Sequence, residues 1–444
     1  MNLVSFSIKT KGAHNFARRL RTVFTRFGFS EYPTRRALLA LLQTLQPYQT
    51  APTFFIPAVV LHRHTRLIAE IAEQGAEFGI HGHVHNDYRT LSAATQYTQT
   101  QQAIEIFTRS GLNYVGFRNP YLGWTEESLE VFRQLGFHYE SNEAVLHEVI
   151  PLQTFSPLLQ EGFARSLELF QAIPCTTYTL RPHFEGTLLR IPTSIPDDEM
   201  LFDRLRVTDP QEVGQIWNAI MQRVYTSEGL YTLNLHPERS LLCQPALAQL
   251  LLFAKNQPLP VWVARLHEVT SWWRERANFR MEITPVDANL WAVKAICSAR
   301  ATILARHLEV ESQSPQPWFG CDYLLTGHEF IVRATHMPCL ALSARTAGEV
   351  ADFLHEQGYP VMATEEPGAL TSSVCYLDLP EGLGSTRQEQ IRMRSTLLQH
   401  LEALDAPLLR FGHWPSGQRA ALAISSDIDS VTIQDFFLRI LEVR

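Results

Sequence analysis

The sequence has no aspartate before Asp87, although the chain runs to 444 residues and carries 45 acidic side chains. It also lacks an apolar run of the roughly 18–20 residues that a membrane-spanning helix needs. The amino terminus shows no hydrophobic stretch that ends in a small-residue cleavage site. From these absences we expect a cytoplasmic protein without a transmembrane segment.

Cysteine is scarce, and no two cysteines form a C-x-x-C pair. The six cysteines stand singly and mostly in apolar surroundings, which argues against a disulfide framework and against a cysteine-ligated zinc cluster. A formal net charge of -7 argues against a nucleic-acid-binding surface over the whole chain. We therefore expect no nucleic-acid partner.

Short apolar strands alternate with amphipathic helices from about residue 30 to 275, which predicts an α/β architecture of βα repeats. Strands are predicted at "TFFIPA" (53–58), "YVGFRNPY" (114–121), "LLRIPT" (188–193), "LYTLNLH" (230–236) and "PVWVA" (260–264). From about residue 276 the strands alternate with one clear helix, "AGEVADFLHEQG", and we predict a separate α+β module. The later "AALAIS" again reads as a buried strand.

Three histidines alternate in "EFGIHGHVHNDY", directly after a predicted strand. His81 and His85 form an H-x-x-x-H pair that can bind one metal ion, whereas His83 would point elsewhere. The alternative is a solvated loop. The "GHVH" segment also matches the last metal motif of metallophosphoesterases, but those enzymes need aspartates on earlier strands, and none precede it here.

Four segments together resemble one family: "TFFIPA", "EIAEQGAEFGIHGHVHNDYRTLS", "GFRNPYLGWTEESLEVFRQLGF" and "LNLHP". Their order and spacing over roughly residues 30–270 resemble the polysaccharide deacetylase domain, carbohydrate esterase family four. The resemblance implies a distorted (β/α) barrel that hydrolyses N-acetyl or other amide groups. It further implies that His81 and His85 bind a divalent metal, that Arg118, Pro120 and Tyr121 line the groove, and that His236 is the catalytic acid.

The family's first motif, a pair of acids at the end of the first strand, is missing from its usual place. There the sequence reads "LVSFSIKTKG", and Lys9 and Lys11 can neither bind a metal nor accept a proton from water. The carboxyl-terminal "AALAISSDIDSVTIQDFF" resembles that motif, because Asp427 and Asp429 follow a strand and face the same side. This resemblance predicts a circular permutation, which is physically acceptable because domain termini tend to lie close together. Alternatively, both aspartates cap the final helix.

The resemblance predicts a fold and its parts. The fold class is α/β, a distorted (β/α) barrel of polysaccharide-deacetylase type with a separate α+β module inserted before the C-terminal strand. Residues 1–275 would form the barrel, residues 276–405 the module, and residues 406–444 a strand and helix that complete the barrel. The module's role stays open between presenting a glycan, mediating oligomerisation and connecting the barrel to its last strand.

The predicted reaction is removal of N-acetyl groups from a carbohydrate by a metal-dependent hydrolase. Asp429, His81 and His85 would hold the metal, with zinc as the expected ion. Asp427 would be the general base and His236 the acid, although the resemblance alone orders the two aspartates and their roles can be exchanged. The resemblance further implies that Arg118 orients the base and that the backbone N–H of Tyr121, with the metal, stabilises the oxyanion.

Four residues are predicted to line the substrate groove: Pro120, Trp124, Asp197 and Asp198. The two aspartates have an alternative role as caps of a helix near Met200, and Trp124 and Trp414 have an alternative role in core packing. Asp87 reads as a solvated loop residue, and Glu140 stands where the family often has aspartate. Two other functions stay open: a non-catalytic glycan-binding protein with a degenerate barrel, and a hydrolase of another small amide.

Overall fold

The computed structural model describes residues 27–311, 313–364 and 373–443. The segment with Lys9 and Lys11 lies outside these residues. Within them, the structure has no helix with both the length and the apolar character needed to cross a membrane.

The described strands are numbered in chain order. Those in the first 275 residues are β1 (Thr53–Ile56), β2 (Glu77–Ile80), β3 (Gly116–Phe117), β4 (Tyr139–Glu140), β5 (Ala144–Leu146), β6 (Ile173–Pro174), β7 (His183–Glu185), β8 (Leu188–Arg190), β9 (Thr193–Ile195), β10 (Leu230–Leu235) and β11 (Val261–Val263). The later ones are β12 (Arg280–Asp287), β13 (Leu290–Ile296), β14 (Ile303–Arg306), β15 (Glu309–Glu311), β16 (Gln316–Phe319), β17 (Asp322–Leu325), β18 (Glu329–Arg333), β19 (Met337–Ser343), β20 (Val361–Thr364), β21 (Ser373–Leu377), β22 (Leu408–Phe411) and β23 (Ala420–Asp427).

The described helices follow the same convention. They are α1 (Tyr32–Leu45), α2 (Ala58–Arg63), α3 (Thr65–Glu73), α4 (Ala93–Arg109), α5 (Glu126–Gln134), α6 (Pro157–Phe170), α7 (Pro210–Thr226), α8 (Pro237–Lys255), α9 (Leu266–Arg276), α10 (Gly348–Glu356), α11 (Arg387–Glu402) and α12 (Ile433–Glu442). Local sequence explains several of their ends. Thr125 caps α5 in a reciprocal capping box with Ser128, for example, as the predicted start of that helix requires.

The largest sheet curls round on itself in a mixed α/β fold. Strands β23, β1, β2, β3 and β4 pair in parallel in that order, and β4 pairs with β8. Strand β5, just after β4 in the chain, pairs with β9, just after β8. Strand β9 pairs with β10, and β10 pairs with β23. The pairings therefore form one open, curled sheet that runs from β6 to β7, like half of a barrel.

The carboxyl-terminal strand β23 lies in the middle of this sheet, between β1 and β10. Its residues pair in parallel with both neighbours: Ser425 lies opposite Thr53 on one side and Asn234 on the other. All eight residues of β23 are buried, which accounts for the nearly continuous apolar run "AALAI". The last strand of the chain is thus a central strand of the sheet.

The strands between β12 and β22 form smaller sheets. Two are antiparallel and four-stranded, in the orders β12-β13-β18-β15 and β16-β17-β14-β22, and a third is parallel, in the order β20-β19-β21. Strand β22 pairs with β14, and the chain then passes into β23. A buried cluster joins this part of the chain to the barrel, since Leu409 and Phe330 share it with Phe55 and Leu230.

This shared core lies at the amino ends of the barrel strands. Glu228, just before β10, accepts hydrogen bonds from Arg410 and pairs with His413, which precedes β23. The carboxyl ends of β2, β10 and β23 lie at the opposite side of the sheet, where a βα barrel carries its chemistry.

Candidate active site

The histidine run begins where strand β2 ends. His81 and His85 are buried, with 1% and 4% of their surfaces exposed. Nδ1 of His81 lies 2.8 Å from the backbone oxygen of Arg118, so that this nitrogen donates its proton and leaves the Nε2 lone pair free. His83 is only half-buried and does not join the cluster that His81 and His85 form.

Asp429 meets these two histidines from the other end of the sequence. Its Oδ1 lies 3.5 Å from Nε2 of His81 and 3.2 Å from Nε2 of His85. Oδ1 is buried and has no hydrogen-bond partner among the described residues. Ligands bonded to one tetrahedral zinc ion at about 2.0–2.2 Å stand roughly 3.3–3.5 Å apart. The three atoms therefore fit a shared divalent cation.

Asp427 lies beside this cluster and is tied to Arg118 and Asn234. Nη1 of Arg118 donates to Oδ1 of Asp427 over 3.0 Å, and Nδ2 of Asn234 donates to Oδ2 over 2.8 Å. Burial raises the pKa of Asp427, but the positive charge of Arg118 opposes burial, and the pKa lies below its usual value. The carboxylate is thus ionised at neutral pH.

Arg118 is completely buried and forms the centre of a polar network inside the barrel. Its remaining donors reach the backbone oxygen of Ser141 and the hydroxyls of Ser141, Ser425 and Thr193. The guanidinium also lies over the ring of Phe55, 4.3 Å from its centroid. This network fixes the position of Asp427 relative to β3 and β10.

His236 follows β10 and pairs with Asp198. Nδ1 of His236 lies 2.6 Å from one oxygen of Asp198, and the backbone N–H of His236 donates to the other over 2.8 Å. Burial lowers the pKa of His236, but the charge and hydrogen bond of Asp198 outweigh burial and raise it well above its usual value. His236 is therefore protonated at neutral pH.

The positions of Asp197 and Asp198 differ from the expectation that both line an open groove. Asp198 is completely buried behind His236. Asp197 is also buried, and its Oδ1 caps the turn that starts at Met200, whose backbone N–H lies 2.9 Å away. Burial and the neighbouring charge of Asp198 raise the pKa of Asp197 to about 7. Both carboxylates thus accept hydrogen bonds from the backbone of neighbouring loop residues.

The segment after β3 has an exposed tip. Pro120 is buried, whereas Tyr121 is 39% exposed and has a left-handed backbone with φ of 60°. The Tyr121 ring packs edge-on against His85, with centroids 4.7 Å apart. The ring of Trp124 lies against the guanidinium groups of Arg190 and Arg387, 4.0 Å and 4.4 Å from its centroid, so arginines occupy the surface expected to stack on a sugar.

Three other acidic or aromatic candidates are explained by ion pairs or burial. Asp87 binds Arg89 and caps a short helical turn at Tyr88–Thr90. Glu140 is completely buried and pairs with Arg190. Trp414 is completely buried. The cap of α12 is Thr432, which forms a capping box with Asp435, so Asp427 and Asp429 are not caps of that helix.

Two residues of this region are absent from the sequence predictions. Asn234 bridges Arg118 and Asp427, and its position two residues before His236 on a strand would have placed it on the same face. Arg439 contacts Asp429 from α12, and no spacing rule would have identified it, because the contact depends on how α12 packs.

Residues 29–139 match the polysaccharide deacetylase family model, which is about a quarter of the chain. The matched range includes His81, His85 and Arg118 and ends before His236 and the carboxyl-terminal aspartates. No curated protein sequence matches the chain.

Solved structures similar to the chain include a candidate polysaccharide deacetylase of Mycobacterium smegmatis, with 20% identity, 58% coverage of this chain, 83% coverage of that chain and a TM-score of 0.43. PuuE allantoinase is similar with 17% identity, coverage of 55% of this chain and 74% of that chain, and a TM-score of 0.40. A family 4 carbohydrate esterase of Streptomyces lividans, solved in complex with acetate, has 15% identity and a TM-score of 0.28. The match covers 49% of this chain and 81% of that chain.

Proposed function

We propose that this protein is a metal-dependent hydrolase that removes N-acetyl groups from a carbohydrate. The observation that carries the proposal is the convergence of Nε2 of His81, Nε2 of His85 and Oδ1 of Asp429 beside an ionised Asp427 and a protonated His236. The match of residues 29–139 to the polysaccharide deacetylase family supports the same class of reaction.

His81, His85 and Asp429 would hold the metal. Two imidazole nitrogens and one carboxylate oxygen suit zinc, which is the ion we propose, and three protein ligands leave a position open for the reactants. A divalent cation bound there supplies Lewis acidity, polarising the amide carbonyl and acidifying water.

Asp427 would act as the general base. Its ionised carboxylate accepts a proton from the attacking water, and Arg118 and Asn234 hold the carboxylate in place through one oxygen each. Asp427 is the last residue of β23 and Asp429 follows two positions later, so the base and the metal ligand come from the same strand exit.

His236 would act as the general acid. The proton on its ring is given to the leaving nitrogen as the amide bond breaks, and Asp198 orients the ring through Nδ1. The backbone N–H of Tyr121 would stabilise the developing oxyanion. We assign Asp197 and Asp198 to positioning this loop, and the exposed Tyr121 to the rim that meets the carbohydrate.

We further propose that β23 and its aspartates stand for the family's first motif, moved to the carboxyl end of the chain. The place of β23 between β1 and β10 supports this permutation. The barrel would then comprise residues 1–275 and 406–444, with residues 276–405 as the inserted module.

Acetate release from N-acetylglucosamine oligomers tests the reaction, with Asp427→Asn as the inactive variant and Asp87→Asn as the matched control. Activity in the wild type and in Asp87→Asn, with loss of about 10²-fold or more in Asp427→Asn, is the expected result. Oligomer binding without acetate release would favour a glycan-binding protein. Hydrolysis of cyclic ureides but of no sugar would favour another amide substrate.

A further inference from the structure

Helix α12 brings an arginine to the back of the Asp429 carboxylate. Nη1 of Arg439 lies 2.6 Å from Oδ2 of Asp429, and both side chains are mostly buried, with 25% and 20% of their surfaces exposed. The guanidinium also lies over the ring of Phe436, 5.6 Å from its centroid. Arg439 is thus held on two sides.

The two oxygens of Asp429 therefore have different surroundings. Oδ1 faces Nε2 of His81 and Nε2 of His85 and has no hydrogen-bond donor within the described part of the chain, whereas Oδ2 accepts the charged hydrogen bond of Arg439. Charge-assisted hydrogen bonds of this kind are among the strongest in proteins. The carboxylate is consequently oriented before any cation arrives.

We propose that Arg439 is a positioning residue for the metal ligand Asp429. It holds Oδ2, so that the carboxylate offers a single oxygen to the cation, and its charge offsets that of the carboxylate. The inference rests on the proposed metal site and adds a residue that lies outside the ligand set and outside the segment that matches the family.

The position of Arg439 is set by contacts that anchor α12 to the barrel. Nη1 of Arg63 lies 3.0 Å from Oδ1 of Asp435, and Nε2 of His64 lies 2.7 Å from Oδ2 of the same residue. Arg63 also pairs with Glu442 at the end of the helix. These contacts can be removed without changing Asp429 or Arg439. The effect of losing the Arg439 contact can therefore be separated from the effect of loosening α12.

Lysine is a partial substitute for this arginine. It keeps the positive charge, but it lacks the planar guanidinium that contacts Asp429 and Phe436 together. Methionine removes the charge and the donor while keeping much of the side-chain volume. Losses of an outer hydrogen-bond partner typically cost 10–100-fold in metal affinity.

Zinc affinity of the intact protein, measured by competition with a chromogenic chelator, tests the inference. Arg439→Met is expected to weaken zinc binding about 10–100-fold, and Arg439→Lys is expected to recover part of that loss. Arg63→Met is the matched control, because it loosens the same helix and retains Arg439. Unchanged affinity in Arg439→Met, or an equal loss in Arg63→Met, would overturn the proposal.

The absorption spectrum of bound Co²⁺ provides a readout that helix stability alone does not move. Without Arg439, both oxygens of Asp429 become available, and the visible absorption of Co²⁺ is expected to weaken as its coordination number rises. An identical spectrum in wild type and Arg439→Met contradicts the inference alone. If the wild type binds neither Zn²⁺ nor Co²⁺ at His81, His85 and Asp429, both the proposed function and the inference about Arg439 fail.

Discussion

Nη1 of Arg118 donates to Oδ1 of Asp427 over 3.0 Å, although 309 positions separate the two residues. Both side chains are buried, so each offsets the charge of the other where water cannot. This contact joins the exit of β3 to the carboxyl-terminal strand and fixes the proposed base.

Replacing Arg118 with methionine should remove the positive charge that offsets the buried carboxylate of Asp427. We expect a loss of about 3–5 kcal/mol in the free energy of unfolding, because the buried carboxylate of Asp427 remains without its cation. Urea denaturation followed by circular dichroism measures the change. Arg35→Met, which breaks the exposed pair with Glu70, is the control and should have little effect. A small change in Arg118→Met would refute a central role of this network.

Replacing Asp198 with asparagine should move the alkaline limb of the pH–rate profile to lower pH. The charge of Asp198 raises the pKa of His236, and the proposed acid is active only while protonated, so activity is lost at a lower pH once that charge is gone. Glu199→Gln, whose carboxylate pairs with Arg204, is the control. If the alkaline limbs of the pH–rate profiles of wild type and Asp198→Asn coincide, His236 is not the acid.

The contact between His64 and Asp435 should make the stability of the protein depend on pH. Burial lowers the pKa of His64, but Asp435 and Glu31 outweigh burial and raise it above 6.5. The stabilisation is therefore complete below pH 6.5 and is lost as the pH rises through the raised value, while Asp435, with its lowered pKa, stays ionised.

The His64→Gln variant measures this dependence. The deficit in its free energy of unfolding relative to wild type should be roughly 1.5–3 kcal/mol near pH 6 and clearly smaller near pH 9. Equal deficits at the two pH values would show that the imidazole is not charged in the folded protein.

A methyl group at Gly116 should destabilise the barrel. The Cβ of an alanine there would overlap the ring of Tyr139, which is completely buried and donates its hydroxyl hydrogen bond to Glu77. We expect Gly116→Ala to lower the free energy of unfolding by about 3 kcal/mol. Gly162 lies on α6 with open space around it, and alanine favours a helix more than glycine does. Gly162→Ala should therefore raise the free energy of unfolding by about 1 kcal/mol. Thermal unfolding of both variants distinguishes an overpacked core from a general intolerance of alanine.

Much of the local structure is predictable because it depends on short-range rules. The strand at "TFFIPA" is β1 and the helix with Thr125 as its cap is α5, and both predictions are confirmed. The "AALAIS" strand is also confirmed as β23, because a continuous apolar run is typical of a strand buried on both faces.

The candidate site was predictable in part. Sequence reasoning named His81, His85 and Asp429, which the structure brings together, because each of these residues stands in a short local motif. It could not place Asp198 behind His236 or Arg439 behind Asp429. Those contacts depend on how a loop and a helix pack across the barrel, and no sequence periodicity encodes such packing.

The metal content of the intact chain and of Asp429→Ala tests the central claim most directly. After loading with zinc and removal of the excess, elemental analysis should find about one ion per chain in the wild type and in the control His83→Ala, and none in Asp429→Ala. Equal zinc in Asp429→Ala and the wild type would contradict the proposal that the carboxyl-terminal strand supplies the third ligand.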